Sequence, residues 1–226
     1  MNDDSGSRQA LGLSADEVLT TTRAVRRRLD LTRPVPRELI QEAVTVATQA
    51  PSGRNQQQWD FVFVDDPATK KQMADLWRAG LALGNPYEQH GLPIPTRGSF
   101  ASAEWARIRG SLGHLIEHLH EVPVLMIPVV RVATRAELRT VHGQANSWGS
   151  VLPAVWSFML AARERGLGTC WTIGHLAYER EMAELLGLPF ETTVQAALTP
   201  VAYTIGTDFQ AAPRVDSERF THWNQW

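Results

Sequence analysis

The sequence predicts one compact domain that mixes helices and strands, and three stretches carry that prediction. PRELIQEAVTVATQA (36–50) places Leu39, Ile40, Ala43, Val44 and Ala47 on one helical stripe, with Pro36 at the first helical position. WDFVFV, from Trp59 to Val64, alternates and is rich in strand formers. VPVLMIPVVRV, from Val122 to Val132, is the most apolar run; it is too short to span a bilayer, contains Pro123 and Pro128, and reads as a buried strand.

Composition sets the outer limits. The 226 residues are 43% hydrophobic and 20% charged, which suits a single globular unit. A net charge of −2 argues against a nucleic-acid partner. The start, MNDDSGSRQ, is polar and has no apolar h-region, so no secretory signal is expected, and no membrane association. The single cysteine, Cys170, excludes an internal disulfide and fits a reducing cytoplasm. Lys70 and Lys71 are the only lysines among 22 basic residues, so any one arginine cluster carries less information here than it would elsewhere.

The elements follow in order. Residues 1–13 are expected to be disordered, with one domain over 14–226. Ser14 and Glu17 form a capping box, which predicts a helix running toward Leu29 with Val18, Val25 and Leu29 inward. Arg23 and Arg27 would then share a helical face, with Arg26 beside them. That face is either a solvated basic surface or a clamp for a dianion. After helix 36–50, Pro51 blocks continuation, and Ser52 and Gly53 allow a tight turn. Asn55, Gln56, Gln57 and Gln58 follow, offering donors and acceptors without charge. They form either a polar surface loop or a binding loop for a heteroaromatic ligand rich in C=O and N–H groups.

Asp66-Pro67 opens a third helix, with Met73, Leu76 and Trp77 inward. GNPYEQHGLPIPTRGSF (84–100) holds three prolines and three glycines without a period; a segment this irregular is usually functional. ASAEWARIRGSLGHLIEHLHE after it reads as helix. Its His114, Glu117, His118 and His120 lack the HExxH pattern and a completing Cys or Asp, so no metal site is expected. Thr134 to Leu138 begins a short helix. The stretch from Val141 to Gly166 is a long helix, expected to break near Gly149 to Pro153 and to be buried on nearly all sides through Val151, Leu152, Val155, Phe158, Met159 and Ala162. Gly166 is placed to end it. Tyr178 to Leu186 reads as helix, and Val194 to Thr204 as a strand whose Pro200 marks an edge or a bulge.

Several chemistries are excluded by pattern. Gly166-x-Gly168 is not a dinucleotide fingerprint, because the third glycine is missing and the order is helix then strand. There is no G-x-S-x-G and no P-loop. Cys170 has no nearby base in sequence and reads as a buried, inert thiol. Nothing in the chain requires a protein acid or base, which is the condition of an enzyme whose cofactor carries the chemistry.

Taken together, Arg23-x-Val25-x-Arg27-x-Leu29, Ala50-Pro51-Ser52-Gly53-x-Asn55-x-Gln57-x-Trp59, Gly166-Leu167-Gly168 with the following small strand, and the late Arg214 resemble the FMN-dependent nitroreductase family over roughly residues 15–220. The resemblance implies an α+β fold with a central, mostly antiparallel sheet flanked by helices, built as an intertwined homodimer with FMN at the interface. It implies that Arg23 and Arg214 hold the FMN phosphate and that Arg27 lies near flavin N1 and O2. It also implies that the Pro51, Ser52, Asn55 and Gln57 loop binds flavin, and that the backbone of Thr172, Ile173 and Gly174 faces N5 and O4. Val25 stands where the family has a hydroxyl residue, Gln58 where it has proline, and Val215 where a second basic residue is common. The 84–121 region is implied to be a lid that shapes the acceptor pocket, with Phe100, Trp105, Arg107 and Arg109 as candidates. The aromatic tail, Phe220, Trp223 and Trp226, is expected to pack on a partner subunit. The implied reaction is a ping-pong hydride transfer from NAD(P)H through flavin N5 to a nitroaromatic or quinone-like small molecule. The alternatives are another chemistry on the same fold (reductive dehalogenation or flavin cleavage) and a non-catalytic flavin-binding module.

Overall fold

The computed structural model describes residues 10–84 and 102–226. Five strands form one sheet: β1 (Trp59–Val64), β2 (Val124–Arg131), β3 (Leu167–Thr169), β4 (Thr193–Gln195) and β5 (Thr199–Tyr203), in the order β1-β2-β5-β3, with β4 also pairing with β2. All four ladders are antiparallel. The six α-helices among the described residues are α1 (Ala15–Thr21), α2 (Arg37–Ala47), α3 (Pro67–Ala82), α4 (Ser102–His118), α5 (Val141–Glu164) and α6 (Glu179–Leu186).

β2 explains the layering. Its side chains alternate between two cores. Val124, Met126 and Val130 join Leu39, Ile40 and Ala43 of α2 and Val151, Val155 and Phe158 of α5. Leu125, Ile127 and Val129 join Met73 and Trp77 of α3, Leu115 of α4 and Met182 of α6. A strand covered on both faces must be apolar at nearly every position, which is why its sequence does not alternate.

The 193–203 stretch is two strands and not one. From Met126 to Val129 on β2 is three steps, while their partners Thr199 and Gln195 are four apart, so one residue is extra and the chain bulges. Pro200 follows the bulge within β5, which lies inside the sheet, so the bulge and not an edge accommodates it.

Four other expectations are corrected. The first helix stops at Thr21 and does not reach Leu29. Thr20, Thr21 and Thr22 return their hydroxyls to the carbonyls of Asp16, Glu17 and Val18, each at 2.6 Å, which competes with helix propagation. The chain then bridges β3, Ala24 beside Thr169, with Val25 N–H donating to Thr169 O at 2.8 Å. This covers what would be a bare sheet edge. Second, α5 runs unbroken through Pro153. The only hydrogen bond proline removes is to the carbonyl of Gly149, an exposed residue where water can serve. Third, α5 is not buried all round: Leu152 is 39% exposed and Trp156 42%. Fourth, Pro36 is the N-cap of α2 and not its first helical residue. At the start of the chain, residues 1–9 lie outside the described residues, but Leu11 N–H donates to Glu164 O, and Gly12 and Leu13 N–H to the Glu164 carboxylate, so 11–13 are tied to the end of α5.

Candidate functional site

The Arg23–Leu29 segment is extended and turning, so its side chains do not follow helical spacing. Val25 and Leu29 are buried, Arg23 is half-buried and Arg27 is exposed. The Val25 side chain packs against Gly168, where an added Cβ would stand 3.0 Å from Val25 Cβ; what this residue offers a ligand is backbone. Arg23 donates through Nη1 to Gln210 O at 2.8 Å, which brings the start of the C-terminal tail to the segment. Arg214 lies four residues further on, exposed, within about 14 Å of chain reach of Gln210. Arg27 donates through Nη2 to Gly110 O of α4 at 3.0 Å, and Arg26 through Nη1 to Ser111 Oγ at 3.3 Å. The Nε of Arg26 is buried without a partner among the described residues.

Thr172, Ile173 and Gly174 follow β3, whose Thr169 bridges Ala24 of the arginine segment. Thr172 exchanges backbone hydrogen bonds with Leu198, at 3.1 and 2.8 Å. Ile173 is 57% exposed. Gly174 is fixed by packing: a Cβ there would stand 3.0 Å from Leu81 and 3.1 Å from Trp77 of α3. Its lack of a side chain therefore serves the α3 contact, a reason the sequence does not give. Cys170 is fully buried, and burial pushes its thiol up, with the nearby Arg26 pulling it down. His175 is also fully buried, with neither ring nitrogen paired among the described residues, and burial lowers it to about 4.

The amide loop is held in an unusual backbone. Arg54, Asn55 and Gln57 have φ of 53°, 54° and 49°; non-glycine residues in this region are uncommon and concentrate at functional sites. Ser52 Oγ accepts from Gln57 N–H at 3.0 Å, and Gln57 Nε2 donates to Asn55 Oδ1 at 3.1 Å. Pro51, Asn55 and Gln57 are exposed. The loop rests on α5, where a Cβ on Gly53 would stand 2.9 Å from Asn146 Oδ1.

Of the acceptor-pocket candidates, Phe100 lies outside the described residues. Trp105, Arg107 and Arg109 are exposed on α4, the helix that meets Arg26 and Arg27. In the tail, Phe220, Trp223 and Trp226 are 55%, 84% and 93% exposed, and Trp226 stacks on His222 with ring centroids 5.0 Å apart. The α4 histidines form a local polar cluster, His118 bonding Glu121 at 2.9 Å. No helix of the described residues is long and apolar enough to cross a membrane.

Within one chain the amide loop and the start of the arginine segment lie far apart along α5. The amide loop sits at Asn146, while Arg163 lines one pocket with Arg23 and Val25 of the arginine segment. The two positions are separated along α5 by about 25 Å at about 1.5 Å per residue. Arg23 and the pocket it shares with Arg163 therefore lie toward one end of α5, and the Pro51–Gln57 loop toward the other.

The nitroreductase family model matches residues 19–203. The chain belongs to the nitroreductase family. That makes it a member of a family of flavin-dependent oxidoreductases. Solved structures agree on the fold. An iodotyrosine deiodinase bound to FMN and 3-iodo-L-tyrosine is 24% identical, with TM-score 0.68, covering 93% of this chain and 99% of that one. An FMN- and NADPH-dependent nitroreductase, NfnB, from Sphigopyxis sp. strain HMH is 22% identical, with TM-score 0.66, covering 95% and 100%. A BluB-like flavoprotein from Clostridium difficile 630 is 18% identical, with TM-score 0.67, covering 95% and 100%.

The chemistry of these groups fits the FMN of the family: guanidiniums suit a phosphate or a ring carbonyl, the neutral amides of the 51–57 loop suit a heteroaromatic ring, and Ile173 is exposed. Sequence reasoning missed Gly110 and Ser111, which accept from the arginines, and Arg163, which is buried, lines one pocket with Arg23 and has no partner for Nη1 among the described residues. Gly110 was visible only as a glycine inside a helical pattern, and Arg163 as one arginine among many.

Proposed function

We propose that this protein is an FMN-dependent oxidoreductase that takes hydride from NAD(P)H and delivers it to a nitroaromatic or quinone-like acceptor, working as a homodimer. The observation that carries the proposal is the split of the site between the two ends of α5. A two-fold pairing through the exposed Leu152 and Trp156 stripe would lay one chain's amide loop against its partner's arginine segment, completing two sites at once.

In this reading Arg23 and Arg214 hold the phosphate, and Arg27 sits where a cation favours negative charge on the reduced ring. The backbone at Thr172, Ile173 and Gly174 orients the reacting edge without supplying a competing acid. Pro51, Ser52, Asn55 and Gln57 of the partner chain close the other side. Bound FMN supplies the hydride-accepting and hydride-donating centre. The chain's own residues bind it, orient donor and acceptor in turn on one face, and keep both at stacking distance, where proximity gives most of the rate effect. Trp105, Arg107 and Arg109 border the acceptor's approach.

The test is a purified protein, reconstituted with FMN. A yellow preparation bleached by NADH or NADPH under anaerobic conditions and recoloured by a nitroarene supports the reading. A chain that cannot be loaded with FMN refutes it. Bleaching without reoxidation by nitroarenes or quinones, but with turnover of a halogenated phenol, would move the chemistry to reductive dehalogenation on the same fold.

A further inference from the structure

We propose that α4 positions the flavin-facing cation, with Gly110 as the residue that sets where the Arg27 guanidinium sits; the inference rests on the FMN reading above. Arg27 occupies a turn with no regular structure of its own, on a long side chain with several rotatable bonds. A cation free to wander gives little electrostatic selectivity, because its value depends on being oriented beforehand. Gly110 supplies that orientation in two ways. Its carbonyl accepts from Arg27 Nη2 at 3.0 Å. Its missing side chain makes room, since a Cβ at Gly110 would stand 2.9 Å from the same Nη2 and 3.7 Å from Cζ. With Nη2 anchored, Nε and Nη1 are left to meet a ligand.

The neighbouring residue repeats the arrangement. Ser111 Oγ accepts from Arg26 Nη1 at 3.3 Å and is itself fixed by donating to Ile108 O at 2.8 Å. Glycine inside a helix is unfavourable relative to alanine, so an alanine at 110 that left Arg27 undisturbed would favour the helix. The same helix contains an internal control. Gly113 lies three residues on, and a Cβ there would meet nothing within 4 Å among the described residues. Two identical substitutions on one helix therefore separate the contact with Arg27 from any general effect on α4.

The experiment compares wild type, Gly110→Ala, Gly113→Ala, Arg27→Ala and the Arg27→Ala/Gly110→Ala double variant. It measures FMN affinity by fluorescence quenching, flavin midpoint potential by dye equilibration, and melting of the cofactor-free chain. The expected result is that Gly110→Ala weakens FMN binding about tenfold, the scale of one charge-assisted hydrogen bond, and makes the potential more negative. Gly113→Ala matches wild type, and neither alanine lowers the melting temperature. In the Arg27→Ala background, Gly110→Ala changes nothing further. Unchanged affinity and potential in Gly110→Ala would overturn the proposal, as would an equal loss with Arg27 already absent. Failure of wild type to bind FMN would instead remove the flavin reading on which the proposal stands.

Discussion

Gly80 of α3 and Gly174 are in backbone contact: a Cβ on Gly80 would stand 1.8 Å from the Gly174 carbonyl oxygen and 2.8 Å from its carbon. The stretch expected to face the flavin is thus seated directly on a helix of the second core. Gly80→Ala gains about 1 kcal/mol of helix propensity, but it forces two backbones apart, an overpacking that costs about 1–3 kcal/mol or more. The expected net outcome is a melting temperature lower by a few degrees and weaker FMN binding. A melt and a fluorescence titration check both; a melt at or above wild type would show that α3 yields without disturbing Gly174.

The same contact shows where the sequence stopped being informative. The strand cores were legible because burial on one or two faces leaves a periodic or continuous apolar trace, as in Trp59–Val64 and Val124–Arg131. Caps were legible because their chemistry is local: Ser14 and Glu17 form the capping box, and Asp66 accepts from Thr69 N–H at 2.7 Å. The end of α1 was not legible, because the edge of β3, nearly 150 residues away in the chain, decides it. Gly80, Gly110 and Gly174 carry information only in their neighbours. The candidate site residues came from motif resemblance, and the separation of Arg163, which shares a pocket with Arg23, from the amide loop along α5 needed coordinates.

His175 gives a pH signature. Burial lowers its folded value from 6.5 to about 4, so between those limits the unfolded chain binds a proton that the folded chain does not. Stability therefore rises with pH across this window and is lost as pH falls through it, by up to about 3 kcal/mol. The contribution is level above about pH 6.5. His175→Leu removes the titration and two unpaired buried nitrogens, so its denaturation midpoint is expected to vary less between pH 4 and 6.5 than that of wild type. Parallel urea melts across that range read the difference, and identical slopes for the two proteins would contradict it.

The phosphate assignment separates Arg23 from Arg214. Arg23 is already oriented by Gln210, whereas Arg214 is exposed and bonds only the adjacent Pro213 carbonyl among the described residues. Hydrogen bonds to charged groups contribute about 1.5–3 kcal/mol each, so Arg23→Ala is expected to weaken FMN binding about 10- to 100-fold. Arg214→Ala is expected to weaken it less, because ordering a mobile side chain offsets part of its gain. Titrations at two ionic strengths check this: if both variants retain wild-type affinity, the phosphate lies elsewhere.

The dimer prediction follows from α5. Leu152 and Trp156 stand one helical turn apart on a face that also carries the exposed Gly149, so an apolar stripe faces outward along the helix between Asn146, at the amide loop, and Arg163, which shares a pocket with Arg23. Burying a pair of such side chains contributes several kcal/mol at about 25 cal/mol per Å², while a carboxylate in the same place would have to be desolvated without a partner. Trp156→Asp is therefore expected to give a folded monomer, since the side chain lies outside both cores of the single chain. The decisive feature is that this monomer retains Arg23, Arg27 and the whole Thr172–Gly174 stretch, yet lacks the partner's Pro51–Gln57 loop. Sedimentation velocity gives the mass and fluorescence quenching gives FMN affinity on the same sample. A monomer that still binds FMN as tightly as wild type would show that one chain holds a complete site, and that the amide loop serves something else.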